Sequence, residues 1–170
     1  DDWSMSLPLI IANTSPSSIW LHLMGGVPLD DCVGAGSGVA GSQLSHKHKV
    51  LKEAVDKFNR DFPYASATDM ICYFGGFEMV GAIGAMLRAA ERRMIVMVDG
   101  FIMSACMLAA SRLHPEVLNY AIFGHCGDEH AHAKMLQIMG AKPILNIGMR
   151  LGEGKERGTC VQSKRRSGAP

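Results

Sequence analysis

Glu153 lies between Gly152 and Gly154, and this placement suits a residue that accepts protons. Because glycine has no side chain, the backbone on either side of the carboxylate is mobile and unhindered. A carboxylate that a substrate can approach in this way can act as a general base on a substrate nitrogen. A plain surface turn has the same pattern, so the spacing alone leaves both interpretations open.

A second candidate is a glycine-dense loop that contains Gly34, Gly36, Ser37 and Gly38, with Lys47 in the helix predicted after it. Glycines allow backbone N–H groups to approach an anion closely, and such loops bind phosphate groups. A nearby lysine ammonium adds a point charge to the same phosphate. The spacing matches neither the P-loop nor the dinucleotide-binding fingerprint, so a flexible turn is the alternative interpretation.

The densest cluster of metal-ligand residue types lies between positions 125 and 132. Its members are His125, Cys126, Asp128, Glu129, His130 and His132. Zinc is the metal to consider, but the cluster matches no standard zinc-site spacing. His130 and His132 are two positions apart and therefore do not share a helix face. We therefore expect no metal site, although a small metal-binding protein remains an alternative hypothesis.

Glu78 follows a pair of glycines and Phe77, at the start of a predicted helix. A carboxylate at this position stabilises a helix by interacting with the positive end of its dipole. The same carboxylate could equally bind the hydroxyl groups of a sugar. The sequence leaves a structural role and a ligand-binding role open for Glu78.

Hydrophobic periodicity predicts the elements that must position these residues. Helices are predicted over 45–58, 67–74, 78–91, 101–112 and 130–139, and short apolar runs predict strands over 94–98, 119–123 and 143–147. The helix over 78–91 is expected to be buried, its methionines to be core residues, and Gly140 to end the last helix. Strands that alternate with helices predict an α/β fold with a doubly wound, mostly parallel sheet flanked by helices.

The predicted sheet determines where a ligand site should lie. In open parallel sheets, ligands bind beyond the carboxyl ends of the strands. Asp99 and Gly100 follow one predicted strand, Gly124 and His125 follow the next, and the loop after Met149 follows the third. We therefore expect these residues to lie close together.

Composition excludes several classes of function. The 170 residues include 17 basic and 16 acidic side chains, and the net charge is +1. This balance and the 6% aromatic content argue against nucleic acid or an anionic membrane as a general partner. No run is long and apolar enough for a membrane span. The five cysteines are odd in number and lack paired spacing, which argues against a secreted disulfide framework. Together with the absence of a signal-peptide pattern, this predicts an intracellular protein. Cys72 and Cys106 are predicted to be core residues.

The motifs above, taken together and in order, resemble the nicotinate-nucleotide:dimethylbenzimidazole phosphoribosyltransferases. The resemblance extends from about Ile11 to Glu153. Its anchors are the segments Asn13-Thr14, Gly25 to Gly38 with Lys47, Gly75 to Glu78, Val98 to Ile102, Gly124-His125 with Glu129 and His132, Gly140 to Pro143, and Leu151 to Gly154. None of these strings is decisive alone, but the ordered set is highly specific.

The resemblance implies an enzyme that converts nicotinate mononucleotide and 5,6-dimethylbenzimidazole into α-ribazole 5′-phosphate and nicotinate. It also implies a cytoplasmic homodimer with a Rossmann-like domain, without a metal or a separate cofactor. Glu153 matches the family's general base, and Gly34, Gly36, Ser37, Gly38 and Lys47 match its phosphate site. Further substrate-binding positions that the resemblance implies are Asn13, Thr14, Glu78, Asp99, Gly100 and His125.

The chain also departs from the family pattern. Pro8, Leu9 and Ile10 replace an expected glutamate and glycine, and Lys155-Glu156 replaces an expected Thr-Gly. Family members are longer, so we expect residues 1–154 to be a partial phosphoribosyltransferase domain and 155–170 a basic, unstructured tail. A truncated or frame-shifted gene would explain this, and the alternative function is a non-catalytic relic that at most binds nucleotide phosphate.

Overall fold

The structure is a computed structural model that describes residues 14–33, 42–127 and 130–149. Within these ranges the helices are α1 (Thr14–Gly25), α2 (Leu29–Cys32), α3 (Ser42–Asp61), α4 (Ala67–Phe74), α5 (Phe77–Glu91), α6 (Gly100–Leu113) and α7 (His130–Ile138). The strands are β1 (Val96–Val98), β2 (Ala121–Phe123), β3 (His125–Gly127) and β4 (Leu145–Met149), and a 3₁₀ helix (Pro115–Tyr120) precedes β2. Among these residues, every helix is too short or too polar to span a lipid bilayer.

The strands pair in parallel, as the alternating pattern predicted. β1 pairs with β2, and β3 pairs with β4. The two pairs meet at Gly124, whose N–H donates to the carbonyl of Val98 at 2.9 Å and whose carbonyl accepts from the N–H of Leu145 at 2.9 Å. Since α6 returns the chain to β2 and α7 returns it to β4, the described part of the chain contains two βαβ units. The predicted α/β class is confirmed.

Helix α6 is the centre of the core. Nine of its fourteen residues are buried, because α1, α5, α7 and the 3₁₀ helix all pack against it. A helix that is apolar on every side needs such a central position. The small residues Ala105, Cys106, Ala109 and Ala110 let its neighbours approach closely.

Helix α5 is buried on one face only, which corrects the prediction of a buried helix packed on most sides. Met79, Ile83 and Met86 are buried, as expected of core methionines and their neighbours. Phe77 is 99% exposed and Val80 is 41% exposed on the other face. Apolar composition predicted burial, but only the packing partners decide how much of a helix surface is covered.

Helix α1 was not predicted, because the first forty residues are rich in serine, glycine and proline. The helix begins at Thr14, and Pro16 lies in its first turn, where proline costs little because the first N–H groups have no helical partner. Trp20 is completely buried, and its Nε1–H donates to the carbonyl of Met70 at 3.2 Å. Tertiary burial of Trp20 and Leu21 thus stabilises a helix whose first turns have the composition of a loop.

Two smaller predictions differ in outcome. Gly140 has φ +64°, and the N–H of Ala141 donates to the carbonyl of Leu136 at 2.9 Å, so the predicted helix end is confirmed. Cys106 is buried as predicted, but Cys72 is exposed, and the core assignment of Cys72 is wrong. Ile71 faces the core from the short helix α4, and a rotation of about 100° per residue turns Cys72 toward solvent.

Candidate functional site

Six of the predicted site residues lie outside the described ranges. They are Asn13, Gly34, Gly36, Ser37, Gly38 and Glu153. Their assigned roles, including general base catalysis by Glu153, stay predictions. Thr14, Lys47, Glu78, Asp99, Gly100 and His125 are described, and they fall into three parts of the structure.

The first part is the turn that joins β1 to α6. Asp99 has an extended backbone, and Gly100 begins α6 with φ +79°. Only glycine adopts such a left-handed conformation at little cost, so Gly100 makes the abrupt change from strand to helix possible. Asp99 is the N-cap residue of α6, but its side chain makes no capping hydrogen bond to that helix. The carboxylate is oriented instead toward the neighbouring strand β3.

His125 begins β3 and faces Asp99. The distance from His125 Nδ1 to Asp99 Oδ1 is 3.6 Å, and the two side chains are only 2% and 11% exposed. This distance is an ion-pair contact when the imidazole is protonated, and it is too long for a good hydrogen bond. The predicted proximity of Asp99, Gly100, Gly124 and His125 at the ends of the strands is confirmed, whereas the loop after Met149 lies outside the described residues. A polar pair is therefore held at the edge of the sheet where parallel folds bind ligands.

A buried hydrogen-bond relay lies behind this pair. The N–H of Gly127 donates to His132 Nδ1 at 3.0 Å, and His132 Nε2 lies 3.0 Å from Ser104 Oγ. The Ser104 hydroxyl donates to the carbonyl of Gly100 at 2.9 Å. Because Nδ1 accepts a hydrogen bond, the neutral imidazole carries its proton on Nε2 and donates it to Ser104. All of these hydrogen bonds therefore run in one direction, from β3 to the turn at Gly100.

Burial keeps His132 neutral. The side chain is 1% exposed. Desolvation, and to a smaller extent the nearby His125, lowers the pKa of His132 to about 4. The rings of His125 and His132 lie edge to face with centroids 5.8 Å apart, so a charge on either ring would repel a charge on the other.

The Ser104–His132 pair has the spacing of a nucleophilic serine and its base, but it is oriented for a different role. A base must accept the hydroxyl proton, and here Nε2 carries a proton because Nδ1 accepts the N–H of Gly127. The Ser104 hydroxyl proton is already donated to the carbonyl of Gly100. Both residues are buried, so this arrangement orders the backbone and does not activate a nucleophile.

The segment that contains His130 and His132 does not assemble a metal site among the residues described. His132 is buried, whereas His130 is exposed, so the two histidines point to different environments. Within residues 14–33, 42–127 and 130–149, no group of three or more His, Cys, Asp and Glu side chains could hold a metal ion. Asp128 and Glu129 lie outside those ranges.

The second part of the site joins Lys47 to the first residue of α1. Lys47 Nζ donates to Thr14 Oγ1 at 3.4 Å, although the two residues are 33 positions apart. Thr14 lies at the N-terminus of α1, where the helix dipole is positive. An ammonium group beside a helix N-terminus suits an anionic ligand. The loop predicted to bind phosphate connects α2 to α3 in the sequence, and Lys47 lies in the second turn of α3.

The third part is Glu78 in the first turn of α5. Its carboxylate folds back over Gly76, where a Cβ atom would lie 2.8 Å from Oε2 and 2.9 Å from Oε1. Because Gly76 has no Cβ atom, the carboxylate of Glu78 can occupy this space. Burial, with a smaller contribution from Glu78, raises the pKa of the Cys106 thiol to about 12. The position favours stabilisation of the helix N-terminus, and the predicted contact of Glu78 with a sugar stays a prediction.

Sequence reasoning missed Ser104 altogether and considered a site role for His132 only as a metal ligand. One signal for Ser104 was present, since it is a hydroxyl residue within the apolar run of α6. Such a residue needs a hydrogen-bond partner when it is buried. Its partner, His132, is 28 positions away, and no local pattern connects the two.

Comparisons with known proteins agree with the sequence resemblance. The family model DBI_PRT, described as Phosphoribosyltransferase, matches residues 9–161. The nicotinate-nucleotide--dimethylbenzimidazole phosphoribosyltransferase of Phocaeicola vulgatus is 60% identical over 144 residues, which are 85% of this chain and 41% of the relative. The enzyme of the same name from Parabacteroides distasonis is 53% identical over 144 residues, again 85% of this chain and 41% of the relative.

A solved structure is also similar. The crystal structure of CobT from Thermus thermophilus aligns with a TM-score of 0.77 and 27% identity, covering 85% of this chain and 42% of that one. The chain thus spans about 41% of the length of the curated relatives that it matches. The residues that match the family model include all three described parts of the site.

Proposed function

Because the chain belongs to the phosphoribosyltransferase family, we propose that it transfers a phosphoribosyl group from nicotinate mononucleotide to 5,6-dimethylbenzimidazole. The products are α-ribazole 5′-phosphate and nicotinate. The observation that carries the proposal is the 60% identity, over 144 residues, to a relative named for this reaction. The cytoplasmic location and the homodimer implied by the resemblance are part of the same proposal.

The phosphate of the nucleotide binds to Lys47, the N-terminus of α1 at Thr14, and the glycines of the loop over 34–38. The contact between Lys47 Nζ and Thr14 Oγ1 supports this assignment, because it brings two groups that favour an anion together. Asp99, Gly100 and His125 lie at the strand ends and contact the rest of the nucleotide. Glu78 and Asn13 complete the substrate contacts of the proposal.

The reaction forms a bond from a benzimidazole nitrogen to the anomeric carbon of the ribose and breaks the bond from that carbon to nicotinate. The bonding electrons move onto the pyridinium nitrogen, so nicotinate leaves without needing a strong acid. Glu153 takes the N–H proton of the benzimidazole and makes its nitrogen nucleophilic. Attack from the face opposite the leaving group inverts the anomeric carbon from β to α.

A non-catalytic, nucleotide-binding remnant is the second candidate function. It is favoured by the departures from the family pattern at positions 8–10 and 155–156. This alternative keeps the phosphate contacts at Lys47 and Thr14 but not turnover. It predicts nucleotide binding that depends on Lys47, with no release of nicotinate.

The test is nicotinate release from nicotinate mononucleotide with and without dimethylbenzimidazole, measured by chromatography with mass detection. We expect release that depends on the benzimidazole and that Glu153→Gln lowers about 100-fold or more, the usual range for a lost general base. Glu156→Gln is the matched control, since it removes a carboxylate three positions away. Equal activity of Glu153→Gln and the wild type would contradict the assigned base, and no release by a folded chain would favour the remnant.

A further inference from the structure

The relay formed by Gly127, His132, Ser104 and Gly100 connects the two backbone segments that carry Asp99 and His125. One end is the carbonyl of Gly100, the residue directly after Asp99. The other end is the N–H of Gly127, two residues after His125 on β3. The relay therefore joins these two segments in addition to the backbone hydrogen bond from the Gly124 N–H to the Val98 carbonyl.

We propose that Ser104 and His132 are positioning residues of the nucleotide site, which set the geometry of Asp99 and His125 without touching the substrate. The inference rests on the proposed function. It adds Ser104 and His132 to the set of site residues. Unlike the residues that contact the nucleotide, these two act through the backbone.

The hydrogen-bond directions make the relay rigid. Each ring nitrogen of His132 has its own partner, and the Ser104 hydroxyl accepts from the ring while it donates to Gly100. Ser104 and His132 are each 1% exposed, so water does not compete for these bonds. Removing the Ser104 hydroxyl takes away the acceptor of the His132 Nε2–H and the donor to the Gly100 carbonyl at the same time.

The relay ends at the turn where Gly100 changes the chain from strand β1 to helix α6. The φ of Gly100, +79°, lies in the left-handed region, and Asp99 makes no side-chain capping bond that would hold the start of α6. A hydroxyl four residues later on the same helix can bond back to the first carbonyl of that helix. Ser104 does this, and His132 extends the support from α6 to β3 and α7.

Ser111 provides a matched control on the same helix. It is also buried, and its hydroxyl also donates to a carbonyl of α6, that of Leu108 at 2.7 Å. This bond stays within α6, whereas Ser104 also joins α6 to His132 on α7. A general effect of losing a buried hydroxyl should therefore appear in both Ser104→Ala and Ser111→Ala.

The first experiment compares nicotinate mononucleotide binding by calorimetry in the wild-type chain and in Ser104→Ala, Ser104→Thr and Ser111→Ala. We expect Ser104→Ala to weaken binding about 10-fold, as for one broken buried hydrogen-bond connection, and Ser111→Ala to leave it unchanged. Ser104→Thr should restore binding even if its added methyl lowers the melting temperature, because a threonine hydroxyl can make the same backbone bond. Equal losses in Ser104→Ala and Ser111→Ala would overturn the proposal.

If the wild-type chain does not bind the nucleotide, that result counts against the proposed function alone. A second measurement then still tests the role of Ser104 and His132. Nitrogen-15 NMR of the wild type should show His132 protonated on Nε2 and not on Nδ1. Ser104→Ala should shift the amide signals of Gly100 and of β3, whereas Ser111→Ala should shift neither. A His132 protonated on Nδ1, or shifts confined to α6 in Ser104→Ala, would overturn the positioning role.

Discussion

His132 illustrates how one buried side chain links the geometry of the site to the pH of the solution. Its neutral ring accepts at Nδ1 and donates at Nε2, and protonation would place a second N–H against the N–H of Gly127. Burial and His125 oppose protonation, and the pKa of His132 is lowered to about 4. An unfolded chain has no such constraint, so its histidine takes up a proton more readily.

The free energy of unfolding should therefore fall as the pH falls. With a pKa of about 4 in the folded chain and 6.5 as the ordinary value, the loss begins below 6.5, is complete below 4, and amounts to roughly 3 kcal/mol. The carboxyls of Asp31, Asp69 and Glu91 also have lowered pKa values, so their protonation weakens the fold only below their ordinary values of 3.8, 3.8 and 4.5, where most of the His132 effect is already complete. Urea unfolding at several pH values measures the effect, and an equally steep fall in His132→Gln would contradict it.

Gly100 and Gly140 both have positive φ values, +79° and +64°. An alanine at either position is strained by about 1–2 kcal/mol, because its Cβ crowds the backbone in the left-handed conformation. We expect Gly100→Ala and Gly140→Ala to lower the melting temperature similarly. Only Gly100→Ala should also weaken nucleotide binding, because only Gly100 adjoins Asp99. Unchanged nucleotide binding by a folded Gly100→Ala chain would exclude a role for this turn in the site.

At the scale of elements, the start of α1 and the second turn of α3 together suit an anion. Helix α3 is otherwise a largely solvated helix, with Leu51, Val55 and Phe58 as its buried stripe. This stripe orients α3 and so brings Lys47 toward Thr14. The helix thus positions the lysine through packing, and the contact does not depend on a strong hydrogen bond.

Lys47→Met should weaken nicotinate mononucleotide binding about 10- to 100-fold, the usual range for a lost hydrogen bond to a charged group. It should also make binding less sensitive to salt, since one charge contact is removed. Lys49→Met is the control, because Lys49 lies on the same helix but is exposed and pairs with Glu53 at 3.9 Å. Calorimetry at two salt concentrations measures both effects. Equal weakening by the two substitutions would show that only the net charge of α3 matters.

At the scale of the whole molecule, one apolar face of α5 is exposed, and no other described residues cover it. Phe77 and Val80 are exposed, and Gly81 and Gly84 continue the same face with open space around them. Large exposed apolar faces favour association. We therefore expect this face of α5 to take part in self-association of the chain.

Phe77→Ser should reduce concentration-dependent self-association in analytical ultracentrifugation, because it removes the most exposed aromatic ring of this face. Tyr64→Ser is the matched control, since Tyr64 is 97% exposed but lies in the loop between α3 and α4. Association that is unchanged in Phe77→Ser, or reduced equally by both substitutions, would show that α5 is not the surface involved.

The proximity of Asp99 and His125 could be predicted because its signals are local. Asp99-Gly100 and Gly124-His125 each follow an apolar run, and parallel pairing then brings the two ends together. Helix α1 and the exposure of Cys72 could not be predicted in this way, because each depends on which surface a neighbouring element covers. The three-residue strand β3 was missed for the same reason, as its residues become a strand only by pairing with β4.

The sequence by itself determined the α/β class, the family resemblance and the positions of Asp99, Gly100 and His125 at strand ends, because periodicity and ordered motifs are properties of neighbouring residues. Only the tertiary structure decided the pairing of Lys47 with Thr14 and of Ser104 with His132, across 33 and 28 positions. It also decided the tautomer of His132. Such contacts follow from how helices pack around α6, and packing depends on the whole chain at once.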